Sequence, residues 1–569
     1  MQELIDCNYI GKIKEIKFNT AIIKSIDQNI NILKIGDIIR INTTNSFSSS
    51  VCYENVLCII VKISYLESFI NEFYTDEENN SQINKVDVNT GIIDTILIGQ
   101  IDKDEKFERS ITISPSVNNL CYKVTADLFK KIFISCNSST VSIGKYKYYG
   151  GEVNVDGNKF FQRHCSILGS TGSGKSWTLA SILEKANKLN SSNLIVFDLH
   201  GEYNKLNYVK HLQIPGPEEL YSDNKKLLYL PFWLLDAGDL NTLFISKNDF
   251  TAHNQISIFQ TLILREKKNF LKSNNLDHEL LDSFTINSPI PFDLDSVINN
   301  LSEKNTEMIT GSRGGVKQGT FYGQFSRMLA RICNKINDKR YGFIFSAPTS
   351  EHLPDSLSVI AKKLMDTIDD TAKIKVIDFS SVPVDILPII ISVVAKLIYT
   401  IQFWMTTSER SPISLVLDEA HIYLPTKEGQ KNPNLAKCAN TFEKIAKEGR
   451  KNGISLFVVS QRPTDISETI LSQINNFIIL KLTNYRDRTT IEKLLPDSFS
   501  SLLENLSVLK IGEGIIVGDS VAFPALTMLD KPLQPPLSKT IDFWDTWNKP
   551  KVNINFSKAI SNLLKQSKN

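Results

Sequence analysis

One glycine-rich segment, GSTGSGKS at residues 169–176, constrains this chain more than any other feature of its sequence. It matches the pattern G-x-x-x-x-G-K-[ST] at every fixed position. The short apolar run CSIL precedes it, and apolar residues recur at helical spacing after it. In such a strand–loop–helix the glycines let consecutive N–H groups point into one concavity, at a helix N-terminus that favours an anion.

The segment therefore predicts a nucleotide site, in which Lys175 neutralises the β- and γ-phosphate oxygens and the Ser176 hydroxyl holds Mg²⁺. The residues predicted to bind the nucleotide are Gly169, Ser170, Thr171, Gly172, Ser173, Gly174, Lys175, Ser176 and Trp177.

Composition limits the class of protein. The 569 residues predict two to four domains, and 64 basic against 62 acidic residues exclude a wholly basic nucleic-acid binder but not a local basic channel. The eight cysteines include no C-x-x-C pair, so neither a zinc site nor a disulfide framework is predicted, and Cys165 is expected to be a small core residue.

The N-terminus has no basic stretch followed by an apolar one, which predicts a cytoplasmic protein. The apolar stretch 384–405 is interrupted by Asp385, Lys396 and Gln402, which favours a buried helix over a membrane span.

The chain divides into three predicted regions. Residues 1–140 hold short β-branched runs separated by turns, which predict a small β-barrel suited to docking or oligomerisation. Two of these runs are Ile30–Ile41 and Ser110–Ile113, while Leu128–Ser135 fits a helix or a strand. Residues 141–529 alternate strand and helix as an α/β core, with a helical insertion at about 204–350, and 530–569 form a Pro-rich, then Lys-rich arm whose aromatics dock on another surface.

Two further segments have open interpretations. The strand Asn193–Asp198 continues as LHGEY, so Asp198, His200 and Glu202 either face the nucleotide or a neighbour, or form a solvated turn. The stretch GSRGGVKQG at 311–319 is either a loop that contacts a phosphate backbone or a surface loop.

The strand Ser414–Leu417 ends in two acids, which is a Walker B pattern. Asp418 is predicted to order the water shell of Mg²⁺ and Glu419 to polarise the attacking water. After the next predicted strand, Gln461 is placed to sense a γ-phosphate. Arg450 and Arg462 are both candidates for a finger that reaches a neighbouring subunit's nucleotide, with Arg450 preferred, and the alternative for either is a surface salt bridge.

In this order, the segments RHCSILGSTGSGKS, FDLHGEY, LDEAHIYLP, EGRKNGISLFVVSQRP and GEGIIVGD resemble the HerA family of hexameric DNA translocases, relatives of the FtsK motor ATPases. The resemblance implies a RecA-like P-loop core that binds ATP and Mg²⁺, preceded by a HAS-barrel and followed by an arm. It implies catalytic roles for Lys175, Glu419, Gln461 and Arg450, and metal-binding roles for Ser176 and Asp418. The extra polar residues at 427–434 depart from the family pattern and bear on the geometry of the finger.

The family also implies a homohexameric ring that pulls double-stranded DNA through a central pore, with no membrane association. An effector would dock on the barrel: a NurA-like or other nuclease, or a sirtuin-like NADase. The resemblance does not decide between DNA-end processing and anti-phage defence. It also does not decide whether the ring separates DNA strands or translocates intact duplex DNA. The alternative is a ring-forming ATPase scaffold that activates the effector, with DNA movement secondary. A third class is a conjugation or secretion coupling ATPase, which usually carries an N-terminal membrane segment.

Overall fold

The computed structural model describes residues 8–44, 53–75, 81–101, 106–133, 140–222, 224–246, 248–276, 278–310, 315–430, 432–496, 503–538, 542–550 and 556–565. Its strands are Tyr9–Lys17 (β1), Thr20–Ile26 (β2), Ile38–Thr44 (β3), Tyr53–Thr75 (β4), Ser81–Ile101 (β5), Phe107–Glu108 (β6), Leu120–Lys123 (β7), Thr140–Tyr146 (β8), Glu152–Asp156 (β9), Cys165–Leu168 (β10), Leu194–Asp198 (β11), Lys210–Gln213 (β12), Met308–Thr310 (β13), Val316–Gln318 (β14), Ile374–Asp378 (β15), Ile413–Leu417 (β16), Ile454–Ser460 (β17), Asn476–Leu480 (β18), Glu513–Gly518 (β19) and Ala525–Leu529 (β20).

Its α-helices are Ala126–Phe133 (α1), Gly157–Gln162 (α2), Lys175–Asn187 (α3), Ala237–Phe244 (α4), Ala252–Ser273 (α5), His278–Ser283 (α6), Leu294–Thr306 (α7), Ser326–Asn337 (α8), Gly342–Phe345 (α9), Ser356–Met365 (α10), Leu387–Trp404 (α11), Pro433–Glu448 (α12), Glu468–Leu471 (α13), Tyr485–Glu492 (α14), Phe543–Trp547 (α15) and Ser557–Lys565 (α16).

The chain forms two compact units. Unit one contains Met1–Lys185 and Phe457–Leu533, and unit two contains Ala186–Leu456 and Gln534–Asn569. The mixed α/β class predicted from the sequence is confirmed. The predicted domain boundaries at 140 and 529 stay a prediction.

Unit one begins with a six-stranded antiparallel barrel in the order β2-β1-β7-β3-β4-β5. The barrel closes because β2 also pairs with β5, with Thr20 opposite Ile96. The buried cluster inside the barrel is aliphatic except for Cys58 and Cys121, and includes Ile10 and Ile13 of β1 and Ile39 and Ile41 of β3. This closure confirms the small barrel predicted from short β-branched runs, and β6 extends the sheet beyond β5.

One predicted strand of this region, Ile30–Ile41, is wrong in extent. A 3₁₀ turn covers Asp27–Ile32, and strand β3 begins only at Ile38. Between them Gly36 adopts a φ of +95°, and the Asp37 carboxylate accepts the N–H of Lys34 at 2.9 Å. A side chain that bonds local backbone in this way competes with the strand ladder.

A second predicted strand, Ser110–Ile113, does not form. The backbone N–H of Thr112 donates instead to the side-chain oxygen of Gln100 at 2.9 Å. The segment left open between helix and strand is helical, since α1 covers Ala126–Phe133; residues 134–139 lie outside the described part of the chain.

An aromatic cluster lies beside the barrel in unit one. Phe129 is fully buried and stacks on Tyr149 with ring centroids 4.3 Å apart. Tyr146 contacts the same ring edge-on at 4.7 Å, and Phe523 lies 6.1 Å away. The hydroxyl of Tyr149 accepts the N–H of Ile38 at 2.7 Å, so the cluster is also bonded to the first residue of β3.

Unit one also contains the sheet that carries the glycine-rich segment. Strand β10 pairs in parallel with β17 on one side and with β18 on the other. Strands β19, β20, β8 and β9 continue from β18 in antiparallel pairs. All four residues of β10 are buried, and Cys165 is fully buried as predicted.

Unit two contains a parallel sheet in the order β12-β15-β11-β16. Every residue of β11, β15 and β16 is buried, as expected for parallel strands covered on both faces. The region predicted to be a helical insertion contains α4 to α9, but also contributes the edge strand β12 and the hairpin β13–β14. Residues 311–314 of the GSRGGVKQG stretch lie outside the described residues.

Helix α11 lies within the stretch that resembles a membrane span. This 18-residue helix is long and apolar enough to cross a membrane, but 67% of it is buried inside the structure. The polar Gln402 is among the buried residues and donates to the carbonyl of Ser411 at 2.6 Å. The predicted buried helix is therefore confirmed, over Leu387–Trp404.

The arm begins with hydrogen bonds to unit two and ends in exposed aromatics. The N–H of Leu537 donates to the Glu202 carbonyl at 2.7 Å, and Gln534 exchanges hydrogen bonds with Asn207. The aromatic residues of α15 are 60–75% exposed: Phe543, Trp544 and Trp547. Their docking on another surface stays a prediction.

Phe129→Ala should lower the free energy of unfolding by about 3–5 kcal/mol, because the change leaves a cavity among rings that cannot collapse into it. Phe250→Ala is the matched control, since that ring is 103% exposed and its loss should change stability by less than about 0.5 kcal/mol. Urea unfolding followed by circular dichroism measures both. Equal losses in the two variants would contradict the packing role of Phe129.

Candidate active site

The glycine-rich loop joins β10 to α3 in unit one, which is the strand–loop–helix that the sequence predicts. Gly172 and Gly174 have φ values of +74° and +106°, which side chains other than glycine rarely adopt. At Gly169 a Cβ atom would lie 2.5 Å from Ser173 Oγ and 2.8 Å from Leu480 Cβ. No side chain fits there, so the first glycine is required by space and the other two by backbone conformation.

The loop presents hydrogen-bond donors at the N-terminus of α3. Its turn is closed by the N–H of Ser173, which donates to the Ser170 carbonyl at 3.1 Å. Within the part of the chain that the structure describes, the N–H groups of Gly172, Gly174 and Ser176 have no acceptor. The buried hydroxyl of Ser173 also lacks a partner there. A concavity of unpaired donors at a helix N-terminus fits a phosphate group.

The predicted lysine and sensor both contact this loop. Lys175 is 8% exposed, and its ammonium lies 3.4 Å from the Ser170 carbonyl. The side-chain oxygen of Gln461 accepts a hydrogen bond from the Thr171 hydroxyl. Trp177 lies in the first turn of α3 and is 36% exposed. The structure therefore brings Gln461 to the loop.

The predicted Walker B residues lie in unit two, just beyond the end of β16. The N–H of Asp418 donates to the Phe197 carbonyl at 3.3 Å, which continues the pairing with β11. Glu419 has a left-handed backbone with a φ of +43°. Such strained conformations in residues other than glycine concentrate at functional sites. The Glu419 carboxylate lies 3.3 Å from His421 Nδ1.

Asp418 is 3% exposed, and its surroundings disfavour a negative charge. Burial raises its pKa well above the usual range, and the carboxylates of Glu419, Asp198 and Glu202 raise it further. A cation near Asp418 would restore the ionised form. Among the described residues, no group of three or more His, Cys, Asp and Glu side chains is arranged to hold a metal ion.

Asp198 organises the turn that follows β11. It is fully buried, and its carboxylate accepts the N–H groups of His200, Gly201, Glu202 and Tyr203 at 2.9–3.2 Å. Burial raises its pKa to about 6, against the lowering effect of these hydrogen bonds. The simple solvated turn is thus wrong for Asp198, because the carboxylate is enclosed by its own loop.

The two candidate arginines differ in their contacts. Arg450 lies in the 3₁₀ turn Gly449–Asn452 after α12, in unit two, and is exposed. Its guanidinium bonds to no residue in the described ranges. Arg462, in unit one, forms an exposed ion pair with Asp465 at 3.6 Å. Arg462 therefore forms the surface salt bridge that was the alternative for either arginine, and the role of Arg450 stays a prediction.

Two contacts at this site escape sequence reasoning. Thr171 and Gln461 are 290 positions apart, and nothing in either motif signals their hydrogen bond. Tyr423, fully buried, donates its hydroxyl to the Asp418 carbonyl at 3.2 Å. Its position in LDEAHIYLP, five residues after the first acid, is the only signal the sequence carries for it.

Gly169→Ala should weaken binding of a fluorescent ATP analogue at least tenfold, because the added methyl group displaces Ser173 or β18 and distorts the donors of the loop. The control is Gly315→Ala, since a Cβ there meets nothing within 4 Å. Fluorescence anisotropy titrations give both dissociation constants. Unchanged affinity in the Gly169 variant would contradict a phosphate-binding loop.

The chain is similar to known proteins along most of its length. Residues 141–398 match the family model "Helicase HerA, central domain". A probable helicase of Methanocaldococcus jannaschii is 26% identical over 518 residues, covering 88% of this chain and 86% of that protein. The DNA double-strand break repair helicase HerA of Sulfurisphaera tokodaii is 28% identical over 429 residues, covering 74% of each. The bacterial conjugative coupling protein TrwB aligns with 74% of this chain and 94% of its own, at 14% identity and a TM-score of 0.43.

The glycine-rich loop between β10 and α3, the buried strand β16 before two acids and the matched central domain are each consistent with a P-loop ATPase. This chain is a P-loop ATPase whose residues 141–398 are similar to the central domain of the HerA helicases.

Proposed function

We propose that this chain is an ATP-driven motor that assembles as a homohexamer and translocates double-stranded DNA through a central pore. The observation that carries the proposal is the hydrogen bond between Gln461 and the glycine-rich loop, because a polar side chain beside a phosphate-binding loop is suited to sensing the γ-phosphate of ATP. Relatives named DNA double-strand break repair helicases support DNA as the substrate.

ATP and Mg²⁺ are the proposed ligands. The loop donors hold the phosphates, Lys175 neutralises the β- and γ-oxygens, and Ser176 and Asp418 fix the position of Mg²⁺. When bound, Mg²⁺ neutralises charge that develops on the phosphate oxygens. The buried Asp418 contributes a carboxylate whose ionisation a nearby cation favours.

Glu419 is the proposed group that orients and polarises the attacking water. Its backbone is left-handed, and its carboxylate lies 3.3 Å from His421 Nδ1. The Gln461 amide is proposed to donate to the γ-phosphate. Both groups act by position, which is how phosphoryl transfer is mainly catalysed.

Arg450 is proposed to act on the nucleotide of a neighbouring subunit. An exposed guanidinium that bonds to no described residue loses no intramolecular contact when it binds an anion. Such a group stabilises charge on the transferring phosphoryl group. A homohexameric ring would supply one Arg450 to each nucleotide.

The barrel of unit one is the proposed docking site for an effector, a nuclease or a sirtuin-like NADase. DNA-end processing and anti-phage defence both use such pairs, and the motor would serve either. If the ring instead serves as a scaffold, the effector rather than DNA would control ATP hydrolysis. These two functions differ in what stimulates the ATPase.

Linear duplex DNA should stimulate ATP hydrolysis by the purified protein, and the stimulation should fall as salt rises, because salt competes for the phosphate contacts. The measurement is the ATPase rate with and without DNA across a salt series, repeated with the product of the adjacent reading frame. Stimulation by that product alone, with DNA inert, would overturn the motor in favour of the scaffold.

Two site variants and one control variant test the assignment of the active-site residues in that assay. Lys175→Ala and Glu419→Gln should each lower turnover by about 100-fold or more while leaving the fold intact. Lys268→Ala, which removes an exposed lysine on α5, should leave the basal rate unchanged. Normal turnover in either site variant would contradict the assignment of these residues.

Arg450→Ala should remain assembled but hydrolyse ATP about 10³-fold more slowly, since it removes charge stabilisation in trans. Mixed with Lys175→Ala subunits, it should recover activity at interfaces that join an intact loop to an intact arginine. ATPase rates across mixing ratios test this, with subunit exchange checked by labelled subunits. Absence of recovery despite exchange would argue for a role within one subunit, or for Arg462.

A further inference from the structure

The backbone that carries Gln461 is fixed on both sides. The carbonyl of Ser460 accepts the N–H of Gly169 at 3.3 Å, so the end of β17 is bonded to the start of the loop. The Ser460 hydroxyl accepts the N–H of Arg462 at 3.1 Å, and Pro463 restricts the backbone that follows. Only the side-chain torsions of Gln461 are left to decide where its amide points.

Thr171 is held equally firmly. It is the second residue of the turn Ser170–Ser173, and Gly172 at the third position has the positive φ of a type II turn. The N–H of Ser170 donates to the Lys481 carbonyl at 2.9 Å, which fixes the first residue of the turn to the end of β18. Because threonine is β-branched, few χ1 rotamers are open to it, and its hydroxyl is held towards Gln461.

The bond between these two side chains holds the amide beside the loop, with its oxygen towards the Thr171 hydroxyl. A glutamine amide has an oxygen that accepts and a nitrogen that donates two hydrogen bonds. Because the Thr171 hydroxyl donates to the oxygen, the nitrogen is left to donate to an anion. The flipped amide would direct its oxygen at the phosphate, which repels it.

We propose that Thr171 is a positioning residue that orients Gln461 for the γ-phosphate. The inference rests on the proposed ATPase function and adds a role for a variable position of the loop pattern. Thr171 acts through Gln461 and leaves binding of the diphosphate to the loop donors. It should therefore affect turnover and binding of the transition state far more than binding of ADP.

The experiment compares Thr171→Val, which keeps the shape and removes the hydroxyl, with Thr171→Ser, which keeps the hydroxyl. Thr171→Val should lower kcat about fivefold to tenfold with KM for ATP within about twofold, the range expected for one hydrogen bond. Thr171→Ser should recover most of the loss. A serine variant as slow as the valine variant would overturn the inference.

A double-mutant cycle separates positioning from direct phosphate contact. In a Gln461→Ala background, Thr171→Val should change kcat by less than about twofold, because the residue it orients is gone. Affinity for ADP with aluminium fluoride, measured against affinity for ADP alone, gives the same cycle without turnover. Equal losses in both backgrounds, or weaker ADP binding by Thr171→Val, would show direct contact and overturn the inference.

The outcomes also distinguish this inference from the function on which it rests. Wild-type protein that does not hydrolyse ATP under any of the assay conditions would overturn the proposed function, and the role of Thr171 with it. An active wild-type protein with an equally active Thr171→Val variant would overturn the role of Thr171 alone.

Discussion

The parallel pairing of β10 with β17 and β18 determines the arrangement of the candidate site in unit one. Parallel strands end at the same edge of a sheet, so the loops that follow all three strands meet there. The four residues of β10 have ladder partners on both sides, which leaves the loop after Leu168 little freedom. Residues as distant in sequence as Ser170 and Thr483 are bonded as a result, with the N–H of Thr483 donating to Ser170 Oγ at 3.3 Å.

The parallel strands of unit two also bring carboxylates to one edge of a sheet. These carboxylates differ in the number of hydrogen bonds that they accept. Asp198 is bonded to four N–H groups of its own turn, and Asp378 accepts from Asn204 at 2.7 Å and from the N–H of Ser380 at 2.8 Å. Among the residues that the structure describes, Asp418 accepts a hydrogen bond only from the N–H of Glu419, at 3.0 Å. Of three carboxylates at strand ends, Asp418 is thus the least stabilised by the protein and has the most to gain from a cation.

Local patterns predicted the parts of the fold and site that local physics determines. The loop, α3, β11, β16 and the buried α11 follow from apolar runs, glycines and strand-end acids. The sequence could not predict that Ile30–Ile41 breaks at Gly36, because the run is apolar on both sides of a glycine whose φ depends on its surroundings. Nor could it predict that Asp198 is satisfied by its own loop, since the same residues would fit a ligand site. The partner of Gln461 is set by sheet order, which no single segment encodes.

The size of a residue's effect on the reaction rate explains why a sequence pattern predicts a role for Gln461 but not for Thr171. A general base or an arginine contact changes a rate by factors of about 10² to 10⁵, so the residue type at such a position is fixed by function. Orienting an amide is worth one hydrogen bond, about 1 kcal/mol or roughly a fivefold change in population. Phosphate binding places no demand on the side chain at the position of Thr171, because the loop holds phosphate through backbone N–H groups. That position is therefore open to a residue that adjusts the sensor, and only its contact in the folded chain reveals the role.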